Sequence, residues 1–282
     1  LMLHHEGEDH VRPILLLGTD KHQLIPDSAA QHLASISGKV FVATVDDEGT
    51  TTGQKLTVSE SGRLELMPTW TLKSPGASVV AVAAKPVDEQ VHSQGRVMAD
   101  RSVLFKYVNP NLALVLTEGK DASQKNFINV FLVDLVTGRV TFAVTHKRVL
   151  PPYHVVHSEN WAVYSYYNEK SRRSELASLE LFEGTEQSNN TVFSSLSNVI
   201  TPLVERQSYI LSFSHVAATV DTVTEKGITS KHILIATSQG QIYEVPRAFL
   251  DPRRPNMNTP VEMREPGLPP YVPELQLPRR AF

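Results

Sequence analysis

Short apolar runs, each closed by a turn, recur along the whole chain and leave little room for helices. Candidate strands lie at 14–17, 40–45, 55–58, 64–67, 79–84, 103–108, 112–117, 127–135 and 140–145. Others follow at 153–157, 161–167, 176–182, 210–213 and 217–223, and a hairpin closes the series at 233–236 and 242–245. Val, Ile, Phe and Tyr dominate these runs, and several alternate polar with apolar, as a half-buried strand requires. Gly, Asn, Asp and Pro punctuate them at 46–49, 61–62, 109–111, 118–119 and 137–138. Helix signals are few. Asp27-Ser28 could cap about two turns over the following AAQHLASI, and 247–250 suits a single turn.

Regular short strands over 282 residues point to a sandwich, a barrel or a β-propeller. The spacing favours the propeller, whose blades place four strands in roughly 40–50 residues. One such unit fits 97–146, with strands at 103–108, 112–117, 127–135 and 140–145, and Tyr153 begins a second. The turn Asp134-Leu135-Val136-Thr137-Gly138-Arg139 adds a local signature: Asp134 and Thr137 can bond turn backbone, and Gly138 supplies the positive φ of a tight hairpin. This turn is similar to those of quinoprotein-like propellers, although Phe142 stands where a Trp normally follows.

The polar stretch 184–207 reads as a long surface loop between blades. From Asp251 the prolines at 252, 255, 260, 266, 269, 270, 273 and 278 imply an extended linker, or a strap laid on a partner. The expected fold is therefore all-β: a partial β-propeller of quinoprotein-like blades with a Pro-rich C-terminal tail. Upstream blades are expected at 1–96, C-terminal blades at 97–250 and the tail at 251–282. The opening LMLHHEGEDH lacks an initiator Met and reads as the interior of a longer chain.

Composition narrows function. The formal net charge of −3 gives no electrostatic case for nucleic acid. With no cysteine, disulfides and thiolate metal sites are excluded. No stretch approaches the roughly 20 apolar residues of a membrane helix. His154 and His157 are three apart on a strand, so they face opposite sides and cannot share a metal. Asp46-Asp47-Glu48-Gly49 lacks the alternating spacing of a calcium loop. No nucleophile elbow, dinucleotide loop or phosphate loop is present. Trp161 among Tyr164, Tyr166 and Tyr167 suits a blade strand better than a stacking platform. The residues thus name no catalytic, cofactor-binding or metal-ligating group. Two candidates remain: Asn189 of an N-x-T sequon in the polar loop, and Arg253-Arg254, whose forks suit partner carboxylates.

Several stretches in consistent order, over about 91–255, carry a resemblance: VHSQGRV, DRSVLFKYVNPNL, VHSENWAVYSYYN, LELFEGTEQ, QSYI, and TEKGITSKHILIA through LDPRRP. Together they resemble the family of the first, largest subunit of the endoplasmic reticulum membrane protein complex. The resemblance implies a lumenal region of β-propellers, a membrane anchor outside this chain, and a scaffold that carries no catalytic residues across. It implies other subunits of that complex as partners, client membrane proteins as further contacts, and a glycan at Asn189. No cofactor is expected. Two alternatives stand beside it: a quinoprotein-type oxidoreductase, supported by the turn at 134–139 alone, and a free-standing peptide-binding propeller.

Overall fold

The apolar runs at 112–117 and 127–135 supply much of the first hydrophobic core, through Leu112, Leu114, Leu116, Ile128, Val130 and Leu132. A computed structural model describes residues 14–17, 22–25, 37–46, 48–59, 63–86, 89–187, 193–197, 200–212, 216–222, 231–275 and 277. The chain is all-β, with antiparallel sheets in two compact units: Leu1–Lys73 with Leu135–Gly138, and Ser74–Asp134 with Arg139–Phe282. The capped helix expected at 27–36 lies outside the described residues.

In the first unit, β1 (Ile14–Leu17) pairs with β2 (His22–Ile25). A second sheet orders β3 (Phe41–Val45), β4 (Thr51–Val58) and β5 (Leu64–Leu72). Trp70 on β5 fixes the turn Leu135–Gly138: its indole Nε1–H donates to Leu135 O at 2.9 Å. Gly138 has φ +72°, and a Cβ there would lie 2.4 Å from Trp70 Cγ, so both the backbone and the space demand glycine.

The second unit begins with a four-stranded sheet in the order β11-β10-β9-β6, formed by β6 (Ala77–Ala84), β9 (Leu112–Lys120), β10 (Asn126–Asp134) and β11 (Val140–Lys147). The intervening hairpin, β7 (Gly95–Val97) and β8 (Val103–Lys106), joins the next sheet instead. That sheet runs β12-β13-β14-β8-β7 through β12 (Val149–Ser158), β13 (Trp161–Asn168) and β14 (Arg173–Gly184), with β15 (Leu203–Ile210) also on β14. A three-stranded sheet of β16 (Val216–Asp221), β17 (His232–Thr237) and β18 (Ile242–Pro246) follows.

Residues 103–106 therefore do not open the sheet formed by 112–147; β6 holds that place. Asn109 explains the departure. Its Oδ1 accepts from Asn111 N at 2.8 Å and its Nδ2 donates to Asp134 at 2.8 Å, turning the chain between β8 and β9 so that no hairpin forms. Asp134 also accepts from Ser195 Oγ at 2.6 Å. The stretch after Gly184 is shorter as a loop than its polarity implied. It links β14 to β15 of one sheet, and Phe193 packs edge-on to Tyr107 at 6.1 Å.

The middle sheet is buried on both faces. Ala162, Tyr164, Tyr166, Leu179 and Leu181 face Leu114, Leu116, Ile128, Val130 and Leu132 of the first sheet. Trp161, Val163 and Leu176 face Ile233, Ile235 and Val245 of the third. Three sheets thus stack face to face, each alternate residue of β13 feeding a different core, the arrangement neighbouring propeller blades require. The closing hairpin forms as its residues imply, with Gly240 at φ +81° and Thr237 N donating to Gln241 O. A 3₁₀ turn, Arg247–Leu250, follows it.

The Pro-rich segment behaves differently from a linker. Ile210 N donates to Pro273 O at 2.7 Å and Leu275 N to Ile210 O at 2.8 Å. Tyr209 Oη donates to Asp251 O and Tyr271 Oη to Ser208 O. Leu250 and Leu275 enter the second core. Residues 251–275 are a strap folded onto their own unit.

Candidate functional site: a charged cleft beside Trp161

Buried ionised groups need partners, so charged residues set into apolar strands mark places where the fold has gathered several together. Glu180 is such a residue, lying between Leu179 and Leu181 on β14. Around it the second unit forms a cleft of about 550 Å³. Its walls come from the loop before β7 (His92, Ser93), β7 itself, Lys106 of β8, Trp161 of β13, Lys231 and His232 at the start of β17, and Arg247 of the 3₁₀ turn.

One side is tied by Glu89. Its Oε1 accepts from Lys231 Nζ at 2.8 Å, Ser158 Oγ at 2.5 Å and Glu159 N at 2.9 Å, while Lys231 also reaches Ser158 Oγ at 2.5 Å. Burial works to raise the Glu89 carboxyl, but these donors hold it below the usual carboxylate range. Glu159, at a turn with φ +44°, accepts from His92 N at 3.0 Å and Lys106 Nζ at 3.0 Å. The loop carrying Glu89 and His92 is thereby clamped to the β12–β13 turn.

The other side fastens the strap. Arg96 of β7 pairs with Asp251, with Glu265 at 3.0 Å, and with Glu180 at 3.8 Å. Burial opposes its charge, but Asp251 and Glu180 hold the guanidinium above its ordinary value. Glu180 lies 3.2 Å from Arg247 Nη2, and burial pushes its carboxyl up despite Arg247 and Arg96. Arg247 stands over the Trp161 ring at 5.1 Å. Its Nε, Nη1 and Nη2 are buried without a hydrogen-bond acceptor.

Of the residues singled out in the sequence, Trp161 lines this cleft and Arg253 meets it through Glu265. Arg253 pairs with Glu265 and lies over Phe182 at 5.4 Å. Arg254 donates to Phe249 O at 2.8 Å, to Pro269 O at 3.1 Å and to Pro270 O. Both heads have partners inside the chain, holding the strap's two ends together. Asn189 lies outside the described residues. His154 meets Val216 O at 2.9 Å and His157 meets Ala83 O at 3.2 Å, so the two rings serve different strands. Burial lowers His157 to about 3, with Lys85 adding to the effect. Asp46 Oδ1 accepts from Thr50 N at 2.7 Å, closing the β3–β4 hairpin. Trp161 is a wall of the cleft.

The residues that build the cleft, Arg96, Glu180, Arg247 and Asp251, lie in the stretches that carry the resemblance, but no catalytic or binding spacing links them. The one available signal was a lone glutamate within the aliphatic run of β14, which demands a buried cation nearby. Chemically the cluster fastens chain segments. Ser158 and Lys231 are adjacent, as in a nucleophile–base pair, yet Lys231 spends its ammonium on Glu89 and Ser158 is fully buried. Among the described residues no group of His, Cys, Asp and Glu could hold a metal ion, and no helix is long and apolar enough to cross a membrane.

The family model that matches residues 2–282 is described as ER membrane protein complex subunit 1, second beta-propeller. The ER membrane protein complex subunit 1 of Xenopus laevis is 42% identical over 290 residues, covering 100% of this chain and 29% of its own length. That of Gallus gallus is 41% identical over 292 residues, with the same coverage. The Schizosaccharomyces pombe protein of that name is 32% identical over 208 residues, covering 72% of this chain and 23% of its own length. The chain thus spans under a third of the curated relatives it matches.

Proposed function

Because this chain belongs to the family of ER membrane protein complex subunit 1, we propose that it is a non-enzymatic lumenal scaffold of that complex. In this reading it supports insertion and folding of tail-anchored and multi-pass membrane proteins by holding partner subunits in place. It works on the lumenal side of the endoplasmic reticulum membrane, with its anchor elsewhere in the full-length protein. The observation that carries the reading is the family match along almost the whole chain. The cleft supports it: Glu89, Lys231, Arg96 and Asp251 are spent on one another, which stiffens the unit. A rigid blade stack with large outward surfaces suits the holding of partners.

The test uses the full-length subunit in cells. Replacing Leu116, buried between the first two sheets, by Asp is expected to lower recovery of the other subunits in a pull-down and to lower the level of a tail-anchored client. Full assembly and unchanged client levels with this variant would overturn the scaffold reading. The side of the membrane is tested separately: endoglycosidase treatment is expected to shift the mass of the wild-type protein and not that of Asn189→Gln. An unshifted wild type would remove support for a glycan at Asn189.

A further inference from the structure

Strand β15 is an outer edge of the middle sheet, and part of that edge stands open. Leu211 N donates to Ser174 O, so the odd residues of β15 turn their backbone groups toward β14 and the even ones turn theirs outward. Two of the even residues are satisfied within the chain. Ile210 N donates to Pro273 O and Ile210 O accepts from Leu275 N, both on the strap. Ser208 O accepts from Tyr271 Oη, and Ser208 N donates to Gln207 Oε1. Arg206 and Val204 come next, and among the described residues their outward N–H and C=O groups have no hydrogen-bond partner. Such an edge is a template for another strand, and the strap already uses it so at Ile210, in a parallel bridge to Glu274.

Arg206 adds a chemical preference. It lies opposite Leu179 in the register, as Ser208 lies opposite Ala177. Its side chain therefore stands on the face that Ala177 and Leu179 turn to the first core. There it borders a cavity of about 220 Å³ whose walls include Val144, His146 and Tyr164 and, among the described residues, no acid. Arg206 is exposed, and among the described residues its guanidinium has neither hydrogen bond nor ion pair. His146 meets Tyr164 Oη at 2.7 Å, and burial together with the charge of Arg206 lowers it to about 4, so it is neutral near pH 7. The cavity thus carries one positive charge beside apolar walls. It is smaller than the roughly 300–1,000 Å³ of a drug-sized ligand site and suits a side chain instead. A residue opposite Arg206 on an added strand shares this face, with its Cβ about 5 Å away.

We propose that the open edge of β15 takes up an extended acidic segment of another polypeptide as an added strand, with a glutamate paired to Arg206. Opposite charge and continuity with the strap's own pairing select that occupant over an apolar or basic one. The inference rests on this edge alone and does not require the scaffold reading.

Peptide binding to the purified full-length protein tests it, read at low salt by fluorescence anisotropy and by amide hydrogen exchange. The probes are a labelled, blocked heptapeptide Thr-Val-Thr-Glu-Thr-Val-Thr, its Gln counterpart, and acetate as a competitor. Saturable binding of the Glu peptide is expected, roughly fivefold tighter than that of the Gln peptide, with slowed exchange over residues 203–208. Arg206→Gln, at an exposed position, is expected to bring the Glu peptide to the level of the Gln peptide while the slowed exchange at saturation persists. Absence of saturable binding, equal binding of the two peptides to the wild type, or a bound peptide that leaves exchange over 203–208 unchanged would each overturn the site. So would displacement of the Glu peptide by equimolar acetate, which would mark a small-carboxylate pocket.

Discussion

Leu179 and Glu180 are neighbours on β14 and almost equally buried, at 1% and 4% exposure, yet they belong to regions held by different forces. Leu179 faces the aliphatic layer of β9 and β10, where every neighbour is interchangeable in kind and only volume matters. Glu180 faces the cleft, where each charge is held by a few identified partners of opposite sign. The first region resists change in proportion to the atoms removed. The second fails when one partner is lost, because the remaining charge stays buried and uncompensated. What the pair teaches is that burial alone does not measure how a site contributes: the apolar layer supplies stability, and the charged cleft supplies register between segments far apart in sequence.

The sharpest way to break this contrast is Asp251→Ala. It leaves Arg96 short of its carboxylate and is expected to cost about 3–5 kcal/mol in urea unfolding. Pairing Asp251→Leu with Arg96→Met is expected to recover most of that loss; if the double variant is as weak as the single one, partner dependence is not what distinguishes the cleft. In the apolar layer, Leu114→Ala is expected to cost about 3 kcal/mol, and a second, distant truncation such as Val245→Ala should simply add to it.

Acid provides a smaller effect confined to one side. His157 is neutral when folded, with its pKa lowered to about 3, and it titrates near 6.5 when unfolded. Its contribution is complete above pH 6.5 and is lost as pH falls from there toward 3, because only the unfolded chain takes up the proton. Between pH 7 and 5 the loss is about 2 kcal/mol, and His157→Gln is expected to flatten that limb of the stability profile. The smallest effect belongs to the first unit. Lys73 and Glu48 pair at 3.2 Å but are 60% and 77% exposed, so Lys73→Ala is expected to change stability by under about 0.5 kcal/mol, less still in high salt.

Much of the architecture was legible in the residues. β-Branched and aromatic runs marked strands that form, Gly138 adopts the positive φ its turn required, and the quoted stretches pointed to the family the chain belongs to. Pairing was less legible. Whether β8 joins β9 or β14 depends on how Asn109 turns the chain, and strand periodicity carries no information about that. The strap was misread for a definite reason. Proline lacks the N–H of a ladder donor, so eight prolines after Asp251 read as a linker or as a strap on a partner, not as a strap on their own unit. Between them stand Leu268, Tyr271 and Leu275, and the arginines at 253 and 254 supply the donors that proline cannot. The cleft was nearly invisible because its members come from seven separate segments and no spacing links them.

The pairing of Arg96 with Asp251 also has a consequence in time. The two residues are 155 positions apart. At the usual pace of synthesis, about 5–20 residues per second, Asp251 follows Arg96 by roughly 8–30 s. Throughout that interval the emerging chain carries β7 with its guanidinium still lacking the carboxylates of Asp251 and Glu265. The middle sheet therefore cannot finish at its β7 edge until Asp251 and Glu265 have been made. A nascent protein of this kind spends that interval with one charged seam open, and the strap closes it.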